Sequence, residues 1–214
     1  IGEWESQMGL WKNFTSEKRA KVNPYAEFSG FPMANAILTM VLVITVLLAI
    51  PVNLVPYLRK GPHLRPVPWL YFFCIGVAFM AVEIVLIQQY ALLIGPSLYS
   101  VATVLLTLLV ASGIGSRCSK AVSDRTAFLF IAGWVVLDAL LFGQVASWAG
   151  GLSGSLRMLI AAVLIFPLGF FMGMPFPKAA IRVGELIDWG FAVNGAASVL
   201  GSVLVLMIAF AWGF

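Results

Sequence analysis

The stretch that decides the fold runs from Trp69 to Ser116 and reads WLYFFCIGVAFMAVEIVLIQQYALLIGPSLYSVATVLLTLLVASGIGS. It contains two apolar runs separated by Gly95-Pro96. Each run is long enough to cross a bilayer, which takes about 20 residues. A carboxylate, Glu83, lies in the middle of the first run. Because an ionisable group at bilayer depth costs about 3 kcal/mol on insertion scales, it requires a partner or a function. The stretch therefore predicts a transmembrane hairpin with a polar centre.

The composition of the whole chain agrees with a bilayer environment. Of the 214 residues, 61% are hydrophobic and 10% are charged, whereas soluble domains contain about 25% charged residues. The mean hydropathy is +1.00. The net charge of +4 is small, and its residues lie between apolar blocks. The positive charge therefore indicates how the chain is oriented in the membrane and does not indicate nucleic-acid binding.

The apolar blocks predict an all-α integral membrane protein, a bundle of about six transmembrane helices in a domain over 31–214. The predicted spans are 32–58, 67–94, 97–115, 126–148, 158–176 and 189–214.

The polar segment 1–30 forms a separate unit. Its spacing of Trp4, Met8 and Trp11 fits a short amphipathic helix on the membrane surface. The alternative is a linker whose aromatic residues pack on a neighbouring domain. Since the chain starts at Ile1, we expect further sequence upstream.

Basic residues are concentrated in alternate loops. The loops 59–66, 116–125 and 178–188 hold most of the arginines and lysines, whereas the other two loops hold only Arg157. By the positive-inside rule the three basic loops are cytoplasmic. Both termini would then lie outside the cytoplasm, although the basic residues of 1–30 argue the other way. We expect a multi-pass protein of a bacterial inner membrane.

A faint internal echo fits a weak 3+3 inverted repeat, and the alternative is a chance recurrence of small residues in apolar helices. The sequence ASGIGS at 111–116 ends the third span, and ASVLGS at 197–202 lies in the sixth. Gly76 in the second span and Gly169 in the fifth each precede a Phe and a Met. Spans one to three and four to six would form an inverted pair of the kind that many transporters contain.

Five polar residues inside the spans are candidate functional residues: Glu83, Gln88, Tyr90, Asp138 and Asn194. The two acids have no lysine or arginine within the spans. They would act as a proton path or a ligand site, or else as buried structural groups that fix helix packing. We expect Asn194 to reach Glu83 or a backbone group on a neighbouring helix.

Small residues in the last two spans predict close helix contacts, because they let helix backbones approach one another. The alternative for the Pro- and Gly-rich fifth span is a transported-substrate site. The predicted packing residues are Gly169, Gly173, Gly195, Ser198, Gly201 and Ser202.

The sequence contains no pattern that predicts catalysis within this chain. The lone histidine, His63, lies in a loop, which excludes a Ser/His/Asp set in the bilayer and makes a His/Cys metal site unexpected. Gly113-Ile-Gly115 ends a span and is not a nucleotide-binding loop. We therefore predict no catalytic residue, no metal and no cofactor, and expect bound lipids.

Several short motifs, in order along residues 67–214, resemble the C-terminal membrane region of bacterial multi-pass spermidine-synthase-like proteins. They are GVAFMAVEIVLIQ at 76–88, LIGPSLYS at 93–100, LVASGIGS at 109–116, FMGMPFP at 171–177 and WGFAVNGAASVLGS at 189–202. The chain departs from the family where a histidine is expected after Gly95, since Pro96-Ser97 stands there. The resemblance implies a soluble aminopropyltransferase-like domain before this region, and the family's enzymatic name belongs to that domain.

Three functions follow from these observations. The first is a non-catalytic membrane anchor or scaffold, or an accessory subunit of a larger assembly with protein partners. The second is a transporter-like or proton-conducting bundle that uses Glu83 and Asp138. The third is the membrane part of an aminopropyltransferase-like enzyme whose catalytic domain lies upstream.

Overall fold

Apolar helices build the protein. The structure is a computed structural model that describes residues 33–58 and 63–212. Within these residues it contains no strand, which agrees with the predicted all-α class. The helices are α1 (Met33–Leu58), α2 (Pro66–Ile94), α3 (Leu98–Cys118), α4 (Asp124–Ala149), α5 (Gly154–Met172), α6 (Pro175–Val183) and α7 (Ile187–Trp212). The predicted surface segment 1–30 lies outside the described residues.

Four segments of the described chain are long and apolar enough to cross a membrane. They are Pro66–Ile94, Leu98–Ala121, Asp124–Ala149 and Gly154–Ala209. The last segment holds α5, α6 and α7 together. Helix α1 contains a shorter apolar stretch, Thr39–Pro51. The chain is thus a helical protein with several membrane-spanning candidates.

Local sequence explains where the helices of the opening hairpin begin and end. Proline occupies the first turn of α2, where its missing N–H is not needed and its fixed φ suits a helix. Gly95 ends α2 at φ 112°, a value that a residue with a Cβ rarely adopts. Its N–H donates to the carbonyl of Ala91. The polypeptide therefore turns sharply into α3.

The fifth span differs most from its predicted limits. The sequence predicts a span over 158–176, but α5 covers Gly154–Met172. Arg157 explains the earlier start, because its side chain donates to the carbonyls of Leu152 and Gly150 and closes the turn before α5. The prolines at 175 and 177 begin the separate helix α6. Pro167 lies inside α5 without ending it.

Two helix pairs form the centre of the bundle: α2 packs along α7, and α3 packs along α5. Helix α1 lies against α7, and α4 lies against α5. One buried cluster joins α2, α3 and α5 around residues such as Tyr90, Leu108 and Ile165. A second cluster joins the start of α2 to α6 and α7 around Phe72, Ala179 and Val193.

Candidate functional site

The main polar cluster of the apolar helices joins α2 to α4. The Tyr90 hydroxyl donates to Oδ1 of Asp138 at 2.6 Å. The amide of Gln89 donates to Oδ2 of the same carboxyl group at 3.1 Å. Both oxygens of Asp138 therefore accept a hydrogen bond, and neither donor carries a charge.

The surroundings of this cluster are mostly aromatic and aliphatic. Tyr90 is fully buried, and its ring packs edge-on against Phe142 at 5.5 Å between centroids. Asp138 is half-buried on a helix with few buried residues. A polar group taken out of water requires hydrogen-bond partners, and here α2 supplies them to α4. The cluster can hold the two helices in register.

Gln89 is the member of this cluster that sequence reasoning missed. On a regular helix its side chain lies outside the face shared by Glu83 and Tyr90, and we selected the neighbouring Gln88 as a candidate functional residue instead. Gln88 is exposed. Helix α4 lies where two adjacent residues of α2, Gln89 and Tyr90, can both reach the carboxyl group of Asp138. The only signal in the sequence was the adjacency of Gln89 to Tyr90.

Glu83 stands apart from the cluster. It is half-buried on α2, and among the described residues it forms no hydrogen bond or ion pair. The expected bond between Glu83 and Asn194 is not present. Asn194 instead faces Gly76, where a Cβ atom would lie 2.7 Å from its backbone oxygen and 2.9 Å from Oδ1. Helix backbones approach so closely at Gly76 that Asn194 packs there and does not reach Glu83.

Glycines set the distance between α2 and α7. A Cβ atom on Gly76 would lie 3.0 Å from the Cβ of Ala197. One on Gly201 would lie 2.9 Å from the Cα of Val77. Gly76 of α2 meets Ala197 of α7, and the next residue of α2, Val77, meets Gly201, which lies further along α7. The two helices therefore run in the same direction. A methyl group on either glycine would force the pair apart.

The contact of α3 with α5 is of the same kind and is closer. A Cβ atom on Gly115 would overlap the backbone oxygen of Phe170, and one on Gly173 would overlap that of Ser112. A Cβ atom on Gly169 would lie 2.9 Å from the Cβ of Ala111. The structure thus places the Gly169 and Gly173 stripe against α3.

The predicted stripe of small residues on α7 is only partly at an interface. Gly201 is buried, but Gly195 is exposed and a Cβ atom there would meet nothing within 4 Å. Gly195 therefore packs against no described helix of this chain, because it lies on the side of α7 that faces away from α2. The hydroxyls of Ser198 and Ser202 donate to carbonyls of their own helix, those of Asn194 and Val199. This satisfies the hydroxyls without a second helix.

The two glycine contacts use equivalent positions of the sequence echo. Aligning 111–116 with 197–202 places Ala111 on Ala197 and Gly115 on Gly201. Ala111 contacts Gly169, and Ala197 contacts Gly76. Gly115 meets the residue after Gly169, and Gly201 meets the residue after Gly76. Two contacts of α3 with α5 therefore fall at the positions of the echo that correspond to two contacts of α2 with α7.

A charged cluster occupies the end of the bundle where α3, α4 and α6 meet. Lys178 of α6 donates to Asp124 at 2.9 Å and to the carbonyl of Val122. Arg182 donates to the other oxygen of Asp124. The side chain of Lys178 is 10% exposed, whereas that of Arg182 is 62% exposed. Lys178 therefore fastens α6 to the turn between α3 and α4, with Arg182 as a solvent-side second contact.

The described residues hold no group of three or more His, Cys, Asp or Glu side chains that could bind a metal ion. A shallow apolar groove of about 430 Å³ lies on the outer surface of α3 and α5. Its lining residues are Leu106, Thr107, Val110, Ala162, Val163 and Phe166. A groove of this composition suits hydrocarbon and supplies no group for catalysis.

Comparison with known proteins adds no relative to this picture. No protein-family model, no curated protein and no solved structure matches the chain.

Proposed function

We propose that the chain is a non-catalytic membrane domain of six spans that anchors or scaffolds a larger assembly. The spans would be α1 to α5 and α7, with α6 as a short connecting helix. The sharp turn at Gly184, with φ 56°, supports separate crossings by α5 and α7. The 26 residues of α1 suffice for about 39 Å of helix at 1.5 Å per residue.

An inverted repeat agrees with this arrangement. If α2 and α7 cross in one direction, α3 and α5 cross in the other. The matched contacts of Ala111 with Gly169 and of Ala197 with Gly76 are those expected of two halves related by a pseudo-two-fold axis in the membrane plane.

The observation that carries the scaffold function is the close packing at the centre of the bundle. At Gly76, Gly115, Gly169, Gly173 and Gly201 a single methyl group would collide with the neighbouring helix. Membrane helices that approach at small residues gain stability from close packing. Together with the hydrogen bonds to Asp138, these contacts favour a rigid platform for partner subunits over a pathway through the bundle.

Orientation is part of the proposal. The basic turn that contains Lys120 would be cytoplasmic, and the turn at Gly151 would lie on the opposite side. After Cys74→Ala and Cys118→Ser, single cysteines at these turns (Ala121→Cys and Gly151→Cys) test this. Impermeant maleimide should label the two from opposite sides of inner-membrane vesicles. Labelling from the same side would disprove an odd number of crossings between them.

A second candidate function is proton conduction. Glu83 favours it, since this half-buried acid forms no bond to another described residue and lies on the same helix as Tyr90, which bonds Asp138 of α4. The purified chain in liposomes with an internal pH-sensitive dye separates the two functions. A scaffold should show no flux above protein-free liposomes, and Asp138→Asn should lower its stability. Conduction predicts a flux that Glu83→Gln and Asp138→Asn abolish while stability is kept.

The resemblance to the membrane half of spermidine-synthase-like proteins supports the anchoring function as a further proposal. It implies an aminopropyltransferase-like domain in the same protein. Reading the gene upstream of the codon for Ile1 tests this directly. A methyltransferase-like fold encoded there would support the resemblance, and an unrelated domain would remove it.

A further inference from the structure

We propose that the turn between α3 and α4 is a binding site for the phosphate of an anionic membrane lipid. Three cationic side chains carry the proposal: Arg117, Lys120 and Arg125. The site is distinct from the scaffold function, and it holds for any function of a chain that spans the bilayer.

The three cations lie within nine consecutive residues, 117–125, where α3 joins α4. Arg117 lies in the last turn of α3, Lys120 in the 3₁₀ turn Ser119–Ala121, and Arg125 in the first turn of α4. All three are exposed. None of them forms a hydrogen bond or an ion pair with another described residue. Their positive charges are therefore available to a ligand.

The acid within this turn is already occupied. Asp124 accepts hydrogen bonds from both Lys178 and Arg182, which are themselves cationic. The turn and α6 together thus carry five positive charges against the single negative charge of Asp124. Glu185 and Asp188 follow α6 and are exposed, so they lie at the same end but outside the turn. These two acids therefore do not neutralise the positive charge within the turn.

The depth of the turn selects a lipid as the source of the phosphate. Helices α3 and α4 are both candidate spans, so their junction lies at the level of the lipid headgroups. Arginine and lysine beside a span attract anionic lipids, at about 1 kcal/mol for each charge. This corresponds to about five-fold in affinity per charge. Lys178 of α6 donates to the carbonyl of Val122 in this turn, so α6 packs beside the three cations' segment.

The test uses the purified full chain in detergent, titrated with phosphatidylglycerol and followed by native mass spectrometry. Replacing the three cations with glutamine (Arg117→Gln, Lys120→Gln and Arg125→Gln) should weaken phosphatidylglycerol binding by about 100-fold, from about five-fold for each charge. Phosphatidylcholine should bind no better to the unaltered chain than to this variant. Inorganic phosphate and glycerol 3-phosphate at millimolar concentration should not displace the lipid.

Two controls isolate the effect of position. Arg157→Gln removes one charge at the opposite end of the bundle and should leave the dissociation constant unchanged. Arg117→Lys with Arg125→Lys keeps the charge and should retain most of the affinity. If the triple variant does not fold, the salt dependence of binding to the unaltered chain decides, and binding should weaken as salt rises.

Four results would overturn the proposal. They are an unchanged dissociation constant in a folded triple variant, an equal loss in Arg157→Gln, displacement by free phosphate, and binding that is insensitive to salt.

Discussion

The hydroxyl of Tyr90 and the carboxyl group of Asp138 are joined by a hydrogen bond of 2.6 Å between residues 48 positions apart. It connects the end of α2 to the middle of α4, a helix that otherwise has few buried residues. Because the alternative for Asp138 is an unsatisfied acid among apolar helices, this bond and that of Gln89 link α4 to α2, while α4 packs mainly against α5.

Replacing Tyr90 with phenylalanine should loosen α4 without leaving a cavity. The ring stays against Phe142, and only the hydroxyl that bonds Asp138 is lost. Hydrogen bonds between membrane helices contribute about 0.6 kcal/mol on average and up to about 1.7 kcal/mol, and we expect a loss of about 1 kcal/mol. Unfolding of the purified chain in mixed micelles measures it. Tyr99→Phe is the matched control, since Tyr99 is 71% exposed and should change nothing. Equal effects of the two changes would show that the Asp138 bond contributes no stability.

Adding a methyl group at Gly115 should separate α3 from α5. A Cβ atom there overlaps the backbone oxygen of Phe170, and a helix backbone cannot yield as a flexible side chain does. Overpacking of this kind costs about 1–3 kcal/mol, so Gly115→Ala should lower the melting temperature in detergent. Gly133→Ala is the control, because a Cβ atom on Gly133 in α4 meets nothing within 4 Å. A melting temperature for Gly115→Ala as high as that of the control would contradict the close contact.

Gly201 and Gly195 should respond oppositely although both lie on α7. Gly201→Leu places a large side chain against the backbone of Val77, whereas Gly195→Leu points it away from the neighbouring helices. We expect the first change to prevent stable folding and the second to be tolerated. The yield of monodisperse protein in size-exclusion chromatography compares them. A tolerated Gly201→Leu would contradict the close contact of α7 with α2 at Val77.

Removal of Asp124 should release α6 from the turn between α3 and α4. Asp124→Asn removes the negative charge opposite Lys178, which is 10% exposed, and leaves it only neutral acceptors, the new amide oxygen and the Val122 carbonyl. Loss of one partner from a mostly buried, charged hydrogen bond costs about 1–3 kcal/mol.

Arg182→Gln should cost less than Asp124→Asn, because Arg182 is 62% exposed and exposed ion pairs contribute at most about 1 kcal/mol. Hydrogen exchange of the α6 amides, read by mass spectrometry, follows the release. Faster exchange in Arg182→Gln than in Asp124→Asn would contradict this order.

The sequence by itself determined the helical class, the bilayer environment and most helix limits. These properties depend on local quantities: the length of an apolar run, the prolines at the start of α2 and the glycine that ends it. For the same reason the sequence identified Tyr90, Asp138, Gly169 and Gly173 as residues of interest.

Only the tertiary structure decided which of these residues meet. The choice of Gln89 over Gln88, the separation of Asn194 from Glu83 and the exposure of Gly195 depend on the angle and register at which two helices cross. Side chains project from all sides of a helix, and the position of the neighbouring helix decides which of them are at the interface. The packing also decided what the similar segments 111–116 and 197–202 contact: Ala111 lies against Gly169, and Ala197 lies against Gly76.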